Sequence, residues 1–225
     1  MDFVQLSKTM LFQGTTPEET KAMVKCLAAR ERHFQKEETV YQAGDIVTDV
    51  GIVLFGRVLI ENDDIWGNRS ILDQAGPGQI FAETYACVPG EKLMVTVTAA
   101  EPSGILFLNV GRILKICTSA CAFHSKLIRN LLSLAARKNL NLSRRIFHTS
   151  AKTIRGRLLS YLSWQAVKAG SREFEIPFNR QQLADYLGVD RSAMSAELGK
   201  MKREGLIRTE RSHFIMEGAK ARAEQ

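Results

Sequence analysis

Apolar residues recur at helical spacing through the last third of the chain and at strand spacing through the first half. Between Asn179 and Leu206 the pattern is densest. Leu183, Ala184 and Leu187 lie at i, i+1 and i+4, Gly188 permits a left-handed stop, and Val189 fills the bend. Asp190 is a good N-cap for a second helix, on which Met194, Leu198 and Met201 repeat at i, i+4 and i+7. Two short helices joined by one tight turn are predicted, a helix-turn-helix.

Earlier in the chain, Thr16-Pro17-Glu18-Glu19 opens a helix expected to run to about Ala29. From Arg30 to Leu108 short β-rich runs alternate with turn signals. The runs are Glu38 to Tyr41, Gly51 to Ile60, Ser70 to Asp73, Val95 to Ala99 and Gly104 to Leu108; the turns include Ala43-Gly44-Asp45, Trp66-Gly67-Asn68 and Gly76-Pro77-Gly78. No helical crossover is available among them, so an antiparallel β-roll or jelly roll is expected. Val110 to Ile116 reads as a short helix. His124 to Phe147 is a long one, with a seam of Ile128, Leu131, Leu132, Ala135, Leu140, Leu142 and Ile146 that Lys138 and Asn139 interrupt. A long one-sided helix needs a partner, and the same helix of a second copy is the simplest. Thr153 to Lys168 forms a further helix with Ile154, Leu158, Tyr161, Leu162 and Gln165 on one side. Glu173 to Pro177 gives a strand, and Leu206 to Arg208 with His213 to Met216 a hairpin, with basic Arg208 and Arg211 placed at its tip. The last residues, 219–225, are polar and expected to fray. The fold class is α+β, divided into a roll at 1–119, a connecting dimerisation helix at 120–149 and a winged helix-turn-helix at 150–225.

Charge sharpens this division. The net charge of +7 splits into 11 Lys/Arg against 15 Asp/Glu over residues 1–119 and 20 against 9 over residues 120–225. A basic half that carries a helix-turn-helix fits phosphate contact, whereas the acidic half is unlike a nucleic-acid surface. On the second helix the positions between the apolar ones are Arg191, Ser192, Ser195, Ala196, Gly199 and Lys200, small, hydrogen-bonding or cationic, as a helix in a DNA groove requires. The chain has four cysteines, no leader pattern and no apolar run near twenty residues, so a soluble cytoplasmic protein with reduced thiols and no membrane partner is expected. An enzyme is not expected. The four histidines, at 33, 124, 148 and 213, are scattered, and no nucleophile–base–acid set, phosphate loop or H-E-x-x-H run accompanies them.

Particular residues carry a resemblance. Gly44-Asp45, Gly56 and Gly78-Gln79-Ile80-Phe81-Ala82-Glu83, followed by Pro177 to Ala184 and Gly188 to Ser192, resemble the Crp-Fnr superfamily of bacterial transcription regulators over almost the whole chain. The resemblance implies a homodimer on double-stranded DNA, RNA polymerase as a further partner, and a small-molecule effector held in the roll. It places Arg180 and Gln181 on phosphates, Arg191, Ser192 and Ser195 on base edges, and Lys200 and Arg203 near the backbone. The departures are specific. Where cyclic-AMP-binding members carry an Arg-Ser pair for the cyclic phosphate, this chain has Leu93-Met94, and Ala82 replaces a glycine. Cyclic AMP is therefore not expected, and an apolar or organic-acid effector near Glu83, Tyr85, Leu93 and Met94 is. Ser192 and Ala196 replace the frequent glutamate and arginine of the recognition helix, so the operator sequence does not carry over. Cys87, Cys117 and Cys121, with His124 beyond them, offer an alternative, redox or metal sensing, although the N-terminal cysteine cluster of the iron-sulfur members is missing; no metal site is assigned.

Overall fold

The computed structural model describes residues 1–63, 69–114 and 122–217. The turn expected at Trp66-Gly67-Asn68, the Cys117 and Cys121 pair and the tail at 219–225 lie outside the described residues. Two compact units are formed, Met1–Arg137 and Lys138–Gln225. Among the described residues no helix is long and apolar enough to cross a membrane.

The first unit opens with helices α1 (Phe3–Ser7) and α2 (Pro17–Cys26). Strands β1 (Arg30–Phe34), β2 (Thr39–Tyr41), β3 (Asp49–Phe55), β4 (Val58–Asp63), β5 (Arg69–Ala75) and β6 (Ile80–Phe81) follow, then α3 (Glu83–Ala86), β7 (Thr96–Ala99), β8 (Ser103–Asn109) and α4 (Val110–Leu114). They form two antiparallel four-stranded sheets in the orders β1-β8-β3-β6 and β2-β7-β4-β5. Strand β8 reads as a continuous apolar run because both of its faces are covered. Ile105 and Phe107 point into the core with Phe34, Val53, Val58, Phe81 and Val97, while Leu106 and Leu108 pack with Leu6, Met23, Ile113, Leu127 and Leu131 of the helices. Each such buried side chain contributes about 1.5–3 kcal/mol.

Three features differ from expectation. The run from Gly51 to Ile60 is two strands, broken at Gly56, whose φ of +77° and close approach to Pro102 and Ser103 leave no room for a side chain. Strand β1 has four exposed residues and one buried, Phe34, so its sequence lacks strand character; it forms because β8 supplies a pairing edge. The helix expected to begin at His124 runs as α5 (Ala122–Thr149).

In the second unit, α6 (Ile154–Ala169), β9 (Glu173–Glu175), α7 (Arg180–Leu187), α8 (Arg191–Arg203), β10 (Ile207–Glu210) and β11 (His213–Met216) surround one core. Leu158, Tyr161 and Leu162 of α6 meet Leu183, Ala184 and Leu187 of α7, Met194, Leu198 and Met201 of α8, and Ile207 and Phe214 of the sheet, whose order is β10-β11-β9. The predicted apolar positions of both short helices are the buried ones.

Candidate DNA-binding interface

Local chemistry sets both helices of the motif. Asn179 caps α7 by accepting from the Gln182 amide at 2.9 Å, and the Asn179 amide donates to Gln182 Oε1 at 2.9 Å, a reciprocal capping box. At the other end Gly188 is left-handed at φ +63°, Gly188 N–H donates to Asp185 O at 3.3 Å and Val189 N–H to Ala184 O at 3.0 Å. Asp190 Oδ1 accepts from the Ala193 amide at 2.7 Å and starts α8. Two arginines cover the carbonyl end of α7. Arg157 Nη1 donates to Leu187 O at 3.0 Å and Gly188 O at 2.9 Å, and Arg145 donates to Tyr186 O at 3.1 Å and Asp185 O at 3.0 Å, favourable placement for cations at a helix C-terminus.

Because Met194, Leu198 and Met201 are buried, helix geometry turns Arg191, Ser192, Ser195, Lys200 and Arg203 outward, and all five are exposed. Ala196 and Lys202 are exposed on the same helix. Among the described residues Arg191, Lys202, Arg203 and Arg211 make no ion pair, whereas Lys200 Nζ lies 3.8 Å from Glu197. The back of α8 is held by Arg155 of α6, which donates from Nε to Glu197 at 2.5 Å and from both terminal nitrogens to Glu204 at 2.7 and 2.8 Å. Bonding to Arg155 holds the Glu204 carboxyl below the usual carboxylate range. This clamp was missed in the sequence. Its one signal was a pair of acids seven residues apart on a helix otherwise basic, a spacing that puts them on one face.

Arg180 and Gln181 occupy the first turn of α7. The Arg180 guanidinium lies 5.1 Å from the centre of the Phe214 ring, Nη2 donates to Thr209 Oγ1 at 2.9 Å, and Nη1 is buried without a hydrogen-bond partner among the described residues. Burial lowers its pKa. Gln181 is exposed, its Nε2 donating to Asp185 at 2.9 Å. A cleft of about 670 Å³ lies here, and Arg180, Gln181, Arg191 and Arg211 stand around it. The hairpin differs from expectation at its tip. Strands β10 and β11 pair through Glu210 and His213, so only Arg211 and Ser212 turn, with Arg211 at φ +49°. Arg208 sits within β10 and pairs with Glu217 at 2.5 Å; it is not a tip residue.

The residues expected to meet an effector are in the first unit. Glu83 is buried at the start of α3, and Ala82 before it takes the left-handed conformation, φ +60°, that the absent glycine would adopt without strain. Leu93 is buried and tied to the Gly44-Asp45 turn, donating to Asp45 O at 2.9 Å and accepting from Gly44 N–H at 2.7 Å. Met94 is 74% exposed, and its amide donates to the Tyr85 hydroxyl at 3.4 Å. Tyr85 and Met94 are thus brought together, whereas Leu93 faces inward. Burial and the Glu83 carboxylate push the Cys87 thiol up, and among the described residues no His, Cys, Asp and Glu are grouped to hold a metal ion.

Residues 31–120 match the cyclic nucleotide-binding domain, and residues 156–217 match the Crp-like helix-turn-helix domain. The chain belongs to the Crp-Fnr family. It is similar to the cAMP-activated global transcriptional regulator CRP of Haemophilus influenzae, at 21% identity over 194 residues, 83% of this chain and 84% of that protein. Among solved structures, the catabolite activator protein of Thermus thermophilus aligns with a TM-score of 0.52 and 22% identity over 94% of this chain and 95% of the other. The c-di-GMP-responsive regulator CLP of Xanthomonas campestris aligns at 0.55 and 15%, over 90% and 100%. Those structural likenesses show the shared fold. As a Crp-Fnr protein the chain is a DNA-binding transcription regulator, with a cyclic-nucleotide-binding-type domain ahead of its helix-turn-helix, and it is not an enzyme.

Proposed function

We propose that the protein acts as a homodimer whose two α8 helices read a two-fold operator, and whose roll responds to a small effector other than a cyclic nucleotide. The observation that carries the reading of DNA is the outward row Arg191, Ser192 and Ser195 on a helix whose other side is fully engaged in the core. In this scheme Arg191 reaches a base edge, Ser192 and Ser195 discriminate less stringently, and Gln181, Lys200, Arg203 and Arg211 take phosphates. Arg180 works by holding the hairpin against α7, since its guanidinium already serves Thr209 and Phe214.

The effector reading rests on Leu93 and Met94. One is turned into the protein and the other is apolar and exposed, so neither offers the fork of donors with which an arginine holds a cyclic phosphate. An apolar or organic-acid ligand near Glu83, Tyr85 and Met94 would shift the dimerisation helices and thereby the recognition helices, and RNA polymerase would be the partner at the promoter. Gel-shift titration against genomic fragments tests the scheme. Tight binding to fragments containing a palindrome, falling by about 10³ or more between 50 and 200 mM salt, is expected; weak binding without sequence preference would contradict it.

A further inference from the structure

Helix α5 carries an exposed row that no contact among the described residues of the protomer accounts for. Leu132, Leu142 and Ile146 are 68%, 61% and 67% exposed. At 3.6 residues per turn, Leu132, Asn139 and Ile146 fall one above another at i, i+7 and i+14, and Ala135 and Leu142 lie beside them, completing the alternating three- and four-residue steps of a two-helix seam. Asn139 is the one polar residue in that row.

We propose that Asn139 meets Asn139 of a second copy at the centre of the helix pair and fixes its register. This rests on the homodimer reading above and names the residue that specifies it. A primary amide enclosed by leucine and isoleucine is costly unless it is hydrogen-bonded. An identical amide across a two-fold axis satisfies it, because one side donates through Nδ2 while the other accepts through Oδ1. No lipid or unrelated apolar partner offers that match, so the occupant is a second copy of this chain. Ser143, one turn on, donates to Asn139 Oδ1 at 3.4 Å and orients the amide plane, and the second lone pair of that oxygen remains for the facing amide. Two of the cations that follow Asn139 on the helix are drawn elsewhere. Arg144 bonds Asn141 and lies 5.5 Å from the Trp164 ring, and Arg145 bonds the carbonyls of α7. A lone asparagine in such a seam selects register and two-strandedness while lowering stability.

Charge replacement in the full-length chain tests the pairing. N139K and N139D should each dimerise about tenfold or more weakly than the unaltered chain in sedimentation velocity, because like charges then face one another. Mixing them should restore a dimer containing one of each, seen by native mass spectrometry. N139L should form trimers or tetramers beside dimers. If the unaltered chain is dimeric and N139K and N139D dimerise as tightly as it does, or show no preference for each other, the Asn139 pairing is wrong and the dimer stands. If the unaltered chain is a monomer up to about 100 μM, both the pairing and the dimer reading fail.

Discussion

The turn between α7 and α8 can be perturbed with a built-in control. Gly188 and Gly170 both end helices in the left-handed conformation, each at φ +63°. Both make the same pair of closing bonds: at Gly170 they are Gly170 N–H to Val167 O at 3.1 Å and Ser171 N–H to Ala166 O at 3.2 Å. They differ in surroundings. A Cβ at Gly188 would meet only Arg157 Nη1 at 3.7 Å, an ordinary contact, and one at Gly170 would meet nothing within 4 Å. Neither Gly188→Ala nor Gly170→Ala therefore adds a clash, and the cost of each is that of an L-residue held left-handed, about 1–2 kcal/mol. With a urea slope of about 1–3 kcal/mol/M, the midpoint should fall by roughly 0.3–2 M with the slope unchanged. Two matched urea titrations followed by circular dichroism measure this. A Gly188→Ala cost exceeding that of Gly170→Ala by more than about 1 kcal/mol would refute the argument, since it would mean that the turn stores an interaction beyond backbone conformation.

Other outcomes follow from the same structure. Ala82 sits at φ +60°, so Ala82→Gly should raise stability by about 0.5–1 kcal/mol in the same titration, and a loss would show that its methyl packs more favourably than its backbone is strained. Burial lowers the pKa of His148 from its ordinary 6.5, so below about pH 6.5 the unfolded chain takes up a proton that the folded chain refuses. Its contribution to stability is complete above that pH and is lost as pH falls through the lowered folded value. H148Q should flatten this part of the slope between pH 5 and 7, and an unchanged slope would remove His148 from the account. Cys87, its thiol raised by burial and Glu83, should alkylate at neutral pH more slowly than an unstructured cysteine when followed by mass spectrometry. Fast alkylation would reopen the redox alternative.

What could be read from the sequence was what is written locally. The α7–α8 pair announces itself because its caps, Asn179 and Asp190, its stop at Gly188 and its apolar repeat are all within a few residues of what they organise. Strand β1 could not be read in this way: Arg30 to His33 are exposed, and only the partner β8, some seventy residues later, makes the segment a strand. The division of the 51–60 run at Gly56 depends on Pro102 and Ser103, equally remote. Among the site residues, Arg191, Ser192 and Ser195 follow from helical period alone. The Arg155 clamp joins residues 42 and 49 positions apart, and the engagement of Arg180 by Thr209 spans 29, distances that periodicity does not reach. The segment expected to meet an effector shows the converse limit. Leu93 and Met94 are adjacent in sequence yet face opposite ways, because the Gly44-Asp45 turn binds the backbone of the first and leaves the second exposed.

Whether α8 reads DNA through its exposed row is decided by fluorescence anisotropy with Arg191→Ala on a selected operator and on random duplex at one salt concentration. Arg191→Ala should lose about 1–3 kcal/mol on the operator and much less on random DNA, so that specificity itself falls. Equal losses on both would make Arg191 a phosphate contact, and an unchanged operator affinity would contradict the placing of α8 in the groove.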